Sequence, residues 1–188
     1  DVLNTFAYTG SLGVAALAGG AARVVQIDRN RKFLELAQRS AQLNPSATGT
    51  MKTIPVDFFV GIGQLKQRRE SFDIVILDPP YFSVTEKGRV DQVTESARLV
   101  NKVRPLVKDG GKLVVVNNAL FLGGADFIGA LEELGSGGYL SIDEIIPIPE
   151  DFTGYPDTRT GTPPSDPAPF NHSTKIVVLS VRQKGRTD

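Results

Sequence analysis

Seven strand-like runs, nearly all separated by helical stretches, constrain this chain more than any other feature. The runs are "VLNTFAY" (2–8), "RVVQID" (23–28), "TMKTIPVD" (50–57), "FDIVILD" (72–78), "GGKLVVVNN" (110–118), "YLSIDEIIPI" (139–148) and "STKIVVLSV" (173–181). Helical patterns fill 11–18, 30–43, 58–68, 91–103 and 125–134. In the second, Phe33, Leu34, Ala37 and Ala41 share one face, and Asn44-Pro45 stops it. Pro105 ends or kinks the fourth. Val/Ile/Leu strands alternating with helices predict an α/β fold, a doubly wound and mostly parallel seven-stranded sheet covered on both faces. No helix separates the last two runs, so they are predicted to pair antiparallel at one edge. Between them, residues 149–172 are rich in Pro, Gly, Asp and Thr. A loop of that length is functional or disordered, and both readings stay open.

The chain has 188 residues, which predicts one domain over 1–188. Lys plus Arg and Asp plus Glu are both 21, so charge neither supports nor excludes a nucleic-acid partner. Cysteine is absent. That excludes disulfides, a thiolate zinc site and a cysteine nucleophile, and no metal is expected. No apolar run reaches membrane-spanning length and nothing resembles a signal peptide, so no membrane partner and a cytoplasmic location are expected. The chain opens at Asp1 directly on a strand-like run, and an N-terminal part of a parent protein is expected before it.

In open α/β sheets ligands sit beyond the carboxyl ends of the strands, where strand order reverses. The polar and turn residues at those ends are Asn4, Tyr8, Thr9 and Gly10, then Asp28, then Asp57, then Asp78-Pro79-Pro80-Tyr81, then Asn117-Asn118. A carboxylate at the second strand end, Asp28, is suited to two ribose hydroxyls. A dinucleotide would need bare glycine amides for its pyrophosphate, but Tyr8 stands in "AYTGSLG". A nucleoside without phosphates fits better, and S-adenosylmethionine is the common one. Its carboxylate needs backbone amides near Gly10, and its adenine amine needs an acceptor such as Asp57. Either aspartate could instead be a helix cap.

The run "ILDPPYF" (76–82) ends a strand in two prolines. Proline cannot donate to a ladder and holds the preceding residue extended, so the chain must leave the sheet in a stiff loop. Asp78 and a proline carbonyl can accept from a base edge, and Tyr81 can stack on its face. The plain alternative is a rigid turn with a buried tyrosine.

Taken together, "VLNTFAYTGSLGVAAL", "VVQIDRNRKFLELAQRSAQLN", "FDIVILDPPYF" and "GGKLVVVNN" resemble the class I S-adenosylmethionine-dependent methyltransferases, especially the bacterial 23S rRNA large-subunit group. The resemblance spans residues 2–118, and "FNHSTKIVVLSV" resembles the final strand. It implies a Rossmann-like methyltransferase fold, S-adenosylmethionine as cofactor, S-adenosylhomocysteine as product and rRNA as partner. It places Asn4, Phe6, Ala7 and Gly10 at the methionine end, with Tyr8 beside them. Asp28 would hold the ribose and Asp57 the adenine, flanked by Arg29 and Phe58. Asp78 would face the methionine amine and the acceptor, with Pro79, Pro80 and Tyr81 completing the catalytic turn. The 5-methylcytosine members need a cysteine thiolate, so that chemistry is excluded for this chain. The N7-guanine members carry a similar Asn-Asn pair, and N7 needs alignment rather than a base. Asp-Pro-Pro-Tyr is more typical of exocyclic-amine methylation, so the acceptor atom stays open. A small-molecule or protein acceptor and a nicotinamide-dependent oxidoreductase are the rival readings. The lone His172 reads as structural at a loop–strand junction, and the basic runs near 66–70 and 89–104 read as solvated helix faces.

Overall fold

The computed structural model describes residues 1–153 and 161–183. Its strands are β1 (Val2–Thr5), β2 (Arg23–Ile27), β3 (Thr50–Ile54), β4 (Phe72–Leu77), β5 (Phe82–Thr85), β6 (Gly88–Asp91), β7 (Val107–Asn117), β8 (Leu140–Ile146) and β9 (Lys175–Val181). The helices are α1 (Ser11–Ala18), α2 (Arg31–Gln42), α3 (Phe58–Gln67), α4 (Ser96–Val103), α5 (Gly124–Gly135) and the short α6 (Glu150–Thr153). Seven strands make one sheet in the order β3-β2-β1-β4-β7-β9-β8, and β5 and β6 form a separate hairpin. β1 pairs parallel with β2 and with β4, which places the reversal of strand order between β1 and β4. The predicted doubly wound, mostly parallel sheet is what the chain forms.

Alternation along the strands builds two cores. Leu3, Val25, Val75 and Leu113 face one side, with Leu65 of α3, Leu99 of α4 and Phe127 of α5. Val2, Val24 and Ile76 face the other, with Leu17 of α1 and Ala41 of α2. Both faces are covered, as strands without polar alternation require.

The structure corrects several boundaries. β1 stops at Thr5 rather than running to residue 8, because Phe6 (φ 56°), Tyr8 (φ 50°) and Gly10 (φ 78°) turn the chain out of the sheet. The helix expected from residue 91 starts at Ser96. Asp91 instead ends β6, and its Oδ1 accepts from the backbone of Val93 (3.0 Å) and Thr94 (3.2 Å). Pro105 lies in a single 3₁₀ turn, Arg104–Leu106, after α4. The last two strands do pair antiparallel, but β9 lies between β7 and β8, so β8 is the edge. Among the described residues no helix is long and apolar enough to cross a membrane.

Of the long segment 149–172, residues 154–160 lie outside the described residues. The remainder is packed. Gly124 N donates to Asp166 O at 2.9 Å, Ser165 Oγ to Leu120 O at 2.7 Å, and Asn171 Nδ2 to Ile148 O at 2.8 Å. The Phe170 and Phe127 rings lie 6.1 Å apart. A Cβ on Gly124 would stand 1.9 Å from the Pro167 carbonyl oxygen, a backbone atom that cannot swing away. Gly124→Ala is therefore expected to lower unfolding free energy by about 1–3 kcal/mol, the range for overpacking. Equilibrium denaturant unfolding measures it.

Candidate active site

The carboxyl ends of β1, β2 and β4 open into a cavity of about 450 Å³, within the usual size for a small-molecule site. Of the residues read from sequence, Phe6, Tyr8, Asp28, Arg29, Asp57, Phe58, Asp78, Pro79 and Pro80 line it. Asn4, Ala7, Gly10 and Tyr81 are not among the lining residues.

The β1–α1 turn is built by close approach. Gly10 is the N-cap of α1 in the left-handed conformation. A Cβ there would lie 2.3 Å from Ala37 Cβ and 2.7 Å from Gln26 Nε2. Only glycine accepts both that φ and that packing. Asn4 lies beneath, buried in β1, with Nδ2 donating to Gln26 Oε1 at 2.9 Å. Its Oδ1 is buried without a hydrogen-bond partner among the described residues. Asn4 and Gly10 thus stand behind the turn that carries Tyr8 to the cavity.

Asp28 fastens this turn to β2. Its Oδ2 accepts from Tyr8 N and its Oδ1 from Asn30 N, both at 2.8 Å. Each carboxylate oxygen retains capacity for a second donor, enough for two hydroxyls. Asp57 caps α3, Oδ1 accepting from Phe59 N at 2.9 Å, while it also lines the cavity. The cap is therefore formed by a residue that also faces the cavity. The Phe6 and Phe58 rings stack at 4.4 Å, and Phe59 meets Phe58 edge-on at 5.1 Å. This aromatic wall suits a flat heterocycle.

Asp78 directly follows β4 and is partly buried. Its Oδ1 accepts from Asn118 Nδ2 at 3.3 Å. No Lys or Arg pairs with it among the described residues. Burial pushes its carboxyl pKa up, and the Asn118 hydrogen bond only partly offsets that. A desolvated carboxylate facing a cavity without a cation is complementary to a cationic ligand.

Two features escape the sequence reading. The β5–β6 hairpin forms a wall through Phe82, Ser83, Thr85, Gly88 and Val90. Its closeness is set at Gly88, where a Cβ would meet the Phe59 ring at 2.4 Å. Its sequence signal is the alternation of "FSVT" and "GRVD" about the two-residue turn Glu86-Lys87, with Gly88 opening the second strand. The second feature is Gln92, fully buried between Pro79 and Asn118. Tyr81 is half exposed, and its carbonyl accepts from Gln92 N at 3.1 Å. His172 is not among the lining residues, and its Nδ1 accepts from Thr174 N at 3.0 Å.

The Asp78 environment has a consequence for stability. Its folded pKa is raised, so the folded state binds this proton more tightly than the unfolded chain. The associated stability is present at low pH and is lost as pH rises through the raised pKa. Above the raised pKa the ionised carboxylate weakens the ligand-free fold. Asp78→Asn is expected to raise the ligand-free melting midpoint at pH 7, with the gain shrinking as pH falls. Scanning calorimetry across pH 4–8 measures it, and a lowered midpoint contradicts the assignment.

Comparison with known proteins places this site in context. The chain matches SMU.776 in complex with S-adenosylhomocysteine, with a TM-score of 0.79 at 20% identity, over 96% of this chain and 44% of that one. It matches the S-adenosylmethionine-dependent methyltransferase from Agrobacterium tumefaciens with a TM-score of 0.66 at 18% identity, over 97% and 56% of the two chains. An rRNA methylase from Streptococcus thermophilus matches with a TM-score of 0.55 at 14% identity, over 97% and 87%. At these identities the structures establish the fold. The chain spans less than half the length of the first of them. The profile of the S-adenosylmethionine-dependent methyltransferases matches residues 1–155. The chain belongs to that family.

Proposed function

We propose that residues 1–188 form a single catalytic domain that transfers a methyl group from S-adenosylmethionine to a base nitrogen of rRNA. The observation that carries the reading is Asp78, a desolvated carboxylate at the strand-order reversal that accepts from the neutral Asn118 amide. The cavity fits the cofactor in kind. Asp28 is suited to the ribose hydroxyls, Asp57 and the Phe6–Phe58 wall to the adenine, and Asp78 to the methionine ammonium. The turn from Ala7 to Gly10 would supply backbone amides toward the methionine carboxylate, with Arg29 and Tyr8 at the rim.

Bound S-adenosylmethionine supplies an electrophilic methyl on a sulfonium. The task left to the chain is alignment, holding the acceptor atom within about 3–3.5 Å of that methyl and keeping water out. Asp78 and the Pro79–Pro80 turn border the space where the acceptor would enter, and the β5–β6 hairpin closes one side. Cysteine is absent, so the acceptor needs its own lone pair. A ring nitrogen such as guanine N7 meets that condition without a general base. The resemblance to the 23S rRNA group and an rRNA methylase among the fold's relatives support RNA as the acceptor class.

The deciding experiment is nucleoside mass analysis of rRNA from cells with and without the gene, beside methylation of unmodified 23S rRNA by the purified protein. One methylated base, lost with the gene, is expected. Unchanged rRNA together with methylation of a protein or small molecule overturns the RNA assignment and leaves the family intact.

Two binding measurements address the cofactor. Asp28→Ala is expected to weaken S-adenosylhomocysteine by about 1.5–3 kcal/mol, the range for hydrogen bonds to a charged group, as read by calorimetry. Affinity is also expected to depend on pH. The ligand's ammonium favours ionised Asp78, so binding is strongest above the raised pKa. It should weaken as pH falls through that pKa, approaching about tenfold per pH unit. Asp78→Asn should bind more weakly and flatten the profile.

A further inference from the structure

The β4–β7 ladder ends at Leu77↔Val115. Beyond it the two chains diverge, and two turns face each other: Asp78 to Tyr81 on one side, Asn117 to Ala119 on the other. Pro79 has no N–H, and its carbonyl is past the last ladder rung. Gln92 fills this gap. Its Nε2 donates to Pro79 O, and its Oε1 accepts from Asn118 N. The side-chain amide therefore acts as a substitute peptide group, one more rung between strands that have parted. The Gln92 backbone adds to the grip. Its N–H donates to Tyr81 O at 3.1 Å, and its carbonyl accepts from Asn117 Nδ2 at 2.9 Å and Ser96 Oγ at 2.5 Å. The residue is 0% exposed, so no water competes for these bonds.

Across from Gln92, Lys175 holds the same turn. It is buried, and its Nζ donates to Ala119 O at 2.9 Å and Ser173 O at 2.8 Å. Asn117 Oδ1 accepts from Ala119 N at 2.9 Å. The product of this bracing is the 3.3 Å contact of Asn118 Nδ2 with Asp78 Oδ1.

We propose that Gln92 is a positioning residue for methyl transfer, joining the Asp78–Tyr81 turn to the Asn117–Ala119 turn so that Asp78 and Asn118 stand together at the cavity. The inference rests on the reading of Asp78 as part of the cofactor and acceptor site. It has a corollary for the acceptor. One acceptor direction of the Pro79 carbonyl is committed inside the protein, so that oxygen is less available to hold an exocyclic amine, and a ring nitrogen is favoured.

Two variants test it. Gln92→Met removes both side-chain hydrogen bonds at similar volume. It is expected to weaken S-adenosylhomocysteine at least threefold and slow single-turnover methylation of unmodified 23S rRNA at least tenfold. Gln92→Glu is isosteric and titratable. Protonated, it reproduces the pattern, its O–H donating to Pro79 O while its carbonyl accepts from Asn118 N. Ionised, it sets a negative charge against the Pro79 carbonyl. Asp91 and Glu95 on its own segment and Asp78 across the turn are the other acids near it, and they are common to both proteins. The ratio of Gln92→Glu to wild-type affinity is therefore the readout. It should lie near one at low pH and fall at least tenfold as pH rises. A folded Gln92→Met with wild-type affinity, or a ratio flat with pH, overturns the proposal. If the wild type binds S-adenosylhomocysteine but methylates no RNA, only the acceptor reading fails, and the affinity ratio still decides. If the wild type binds no S-adenosylhomocysteine, the cofactor reading fails. Carbon NMR of the Asp78 carboxyl then decides, with an upward pKa shift in Gln92→Met expected and an unchanged pKa overturning the role.

Discussion

Asp78 reaches its place because β4 cannot continue. The two prolines after it have no N–H to offer a neighbouring strand, and their rings fix the direction of exit. The sheet must part between β4 and β7 at that point, and parting leaves polar backbone groups without ladder partners. Gln92 answers part of that demand from inside, and Asn118 is brought to the carboxylate. The crevice of this fold is thus a consequence of where hydrogen bonding across the sheet is made to stop.

The same constraint has an electrostatic side. Partial burial raises the Asp78 pKa because it thins the water around the carboxylate and no lysine or arginine replaces it among the described residues. A structural role would be better served by a neutral side chain or an ion pair. The arrangement instead leaves the ligand-free protein short of a positive charge there, which the ammonium of the proposed cofactor would supply. Asp28 and Asp57 differ. Each spends part of its carboxylate on backbone N–H groups, so each orders its own turn while facing the cavity. The carboxylates that order these turns are thus the ones the proposed cofactor would meet.

Much of this was legible in the sequence for definite reasons. Hydrophobic runs of the Val/Ile/Leu type and the helical period between them determine a covered parallel sheet, and topology then gathers the residues at the strand ends along one edge. Asp28, Asp57 and Asp78 could be read because strand ends are marked by the apolar runs themselves. Strand lengths were read too long where Phe6 and Tyr8 take positive φ, a conformation that no side-chain pattern announces. The hairpin was hidden because "RVDQVTESARLV" carries a helical period through Asp91, while an Asx turn at that residue holds the chain out of α4. Gln92 could not be read at all. A lone glutamine has no sequence signal, and its importance comes from two turns that only the folded sheet brings together. Tyr81 shows the converse: its motif was conspicuous, yet it stands half exposed and outside the cavity lining.

The account turns on Asp78 as a partly buried carboxylate with no Lys or Arg partner among the described residues, proposed to gain its cation from the cofactor. Its side-chain carboxyl carbon reports this directly by NMR titration, with the signal assigned by its loss in Asp78→Asn. The account predicts a midpoint above the ordinary aspartate range in the free protein, falling when S-adenosylhomocysteine saturates the site. An Asp78 midpoint that is ordinary in the free protein, or unmoved by the bound ligand, contradicts it.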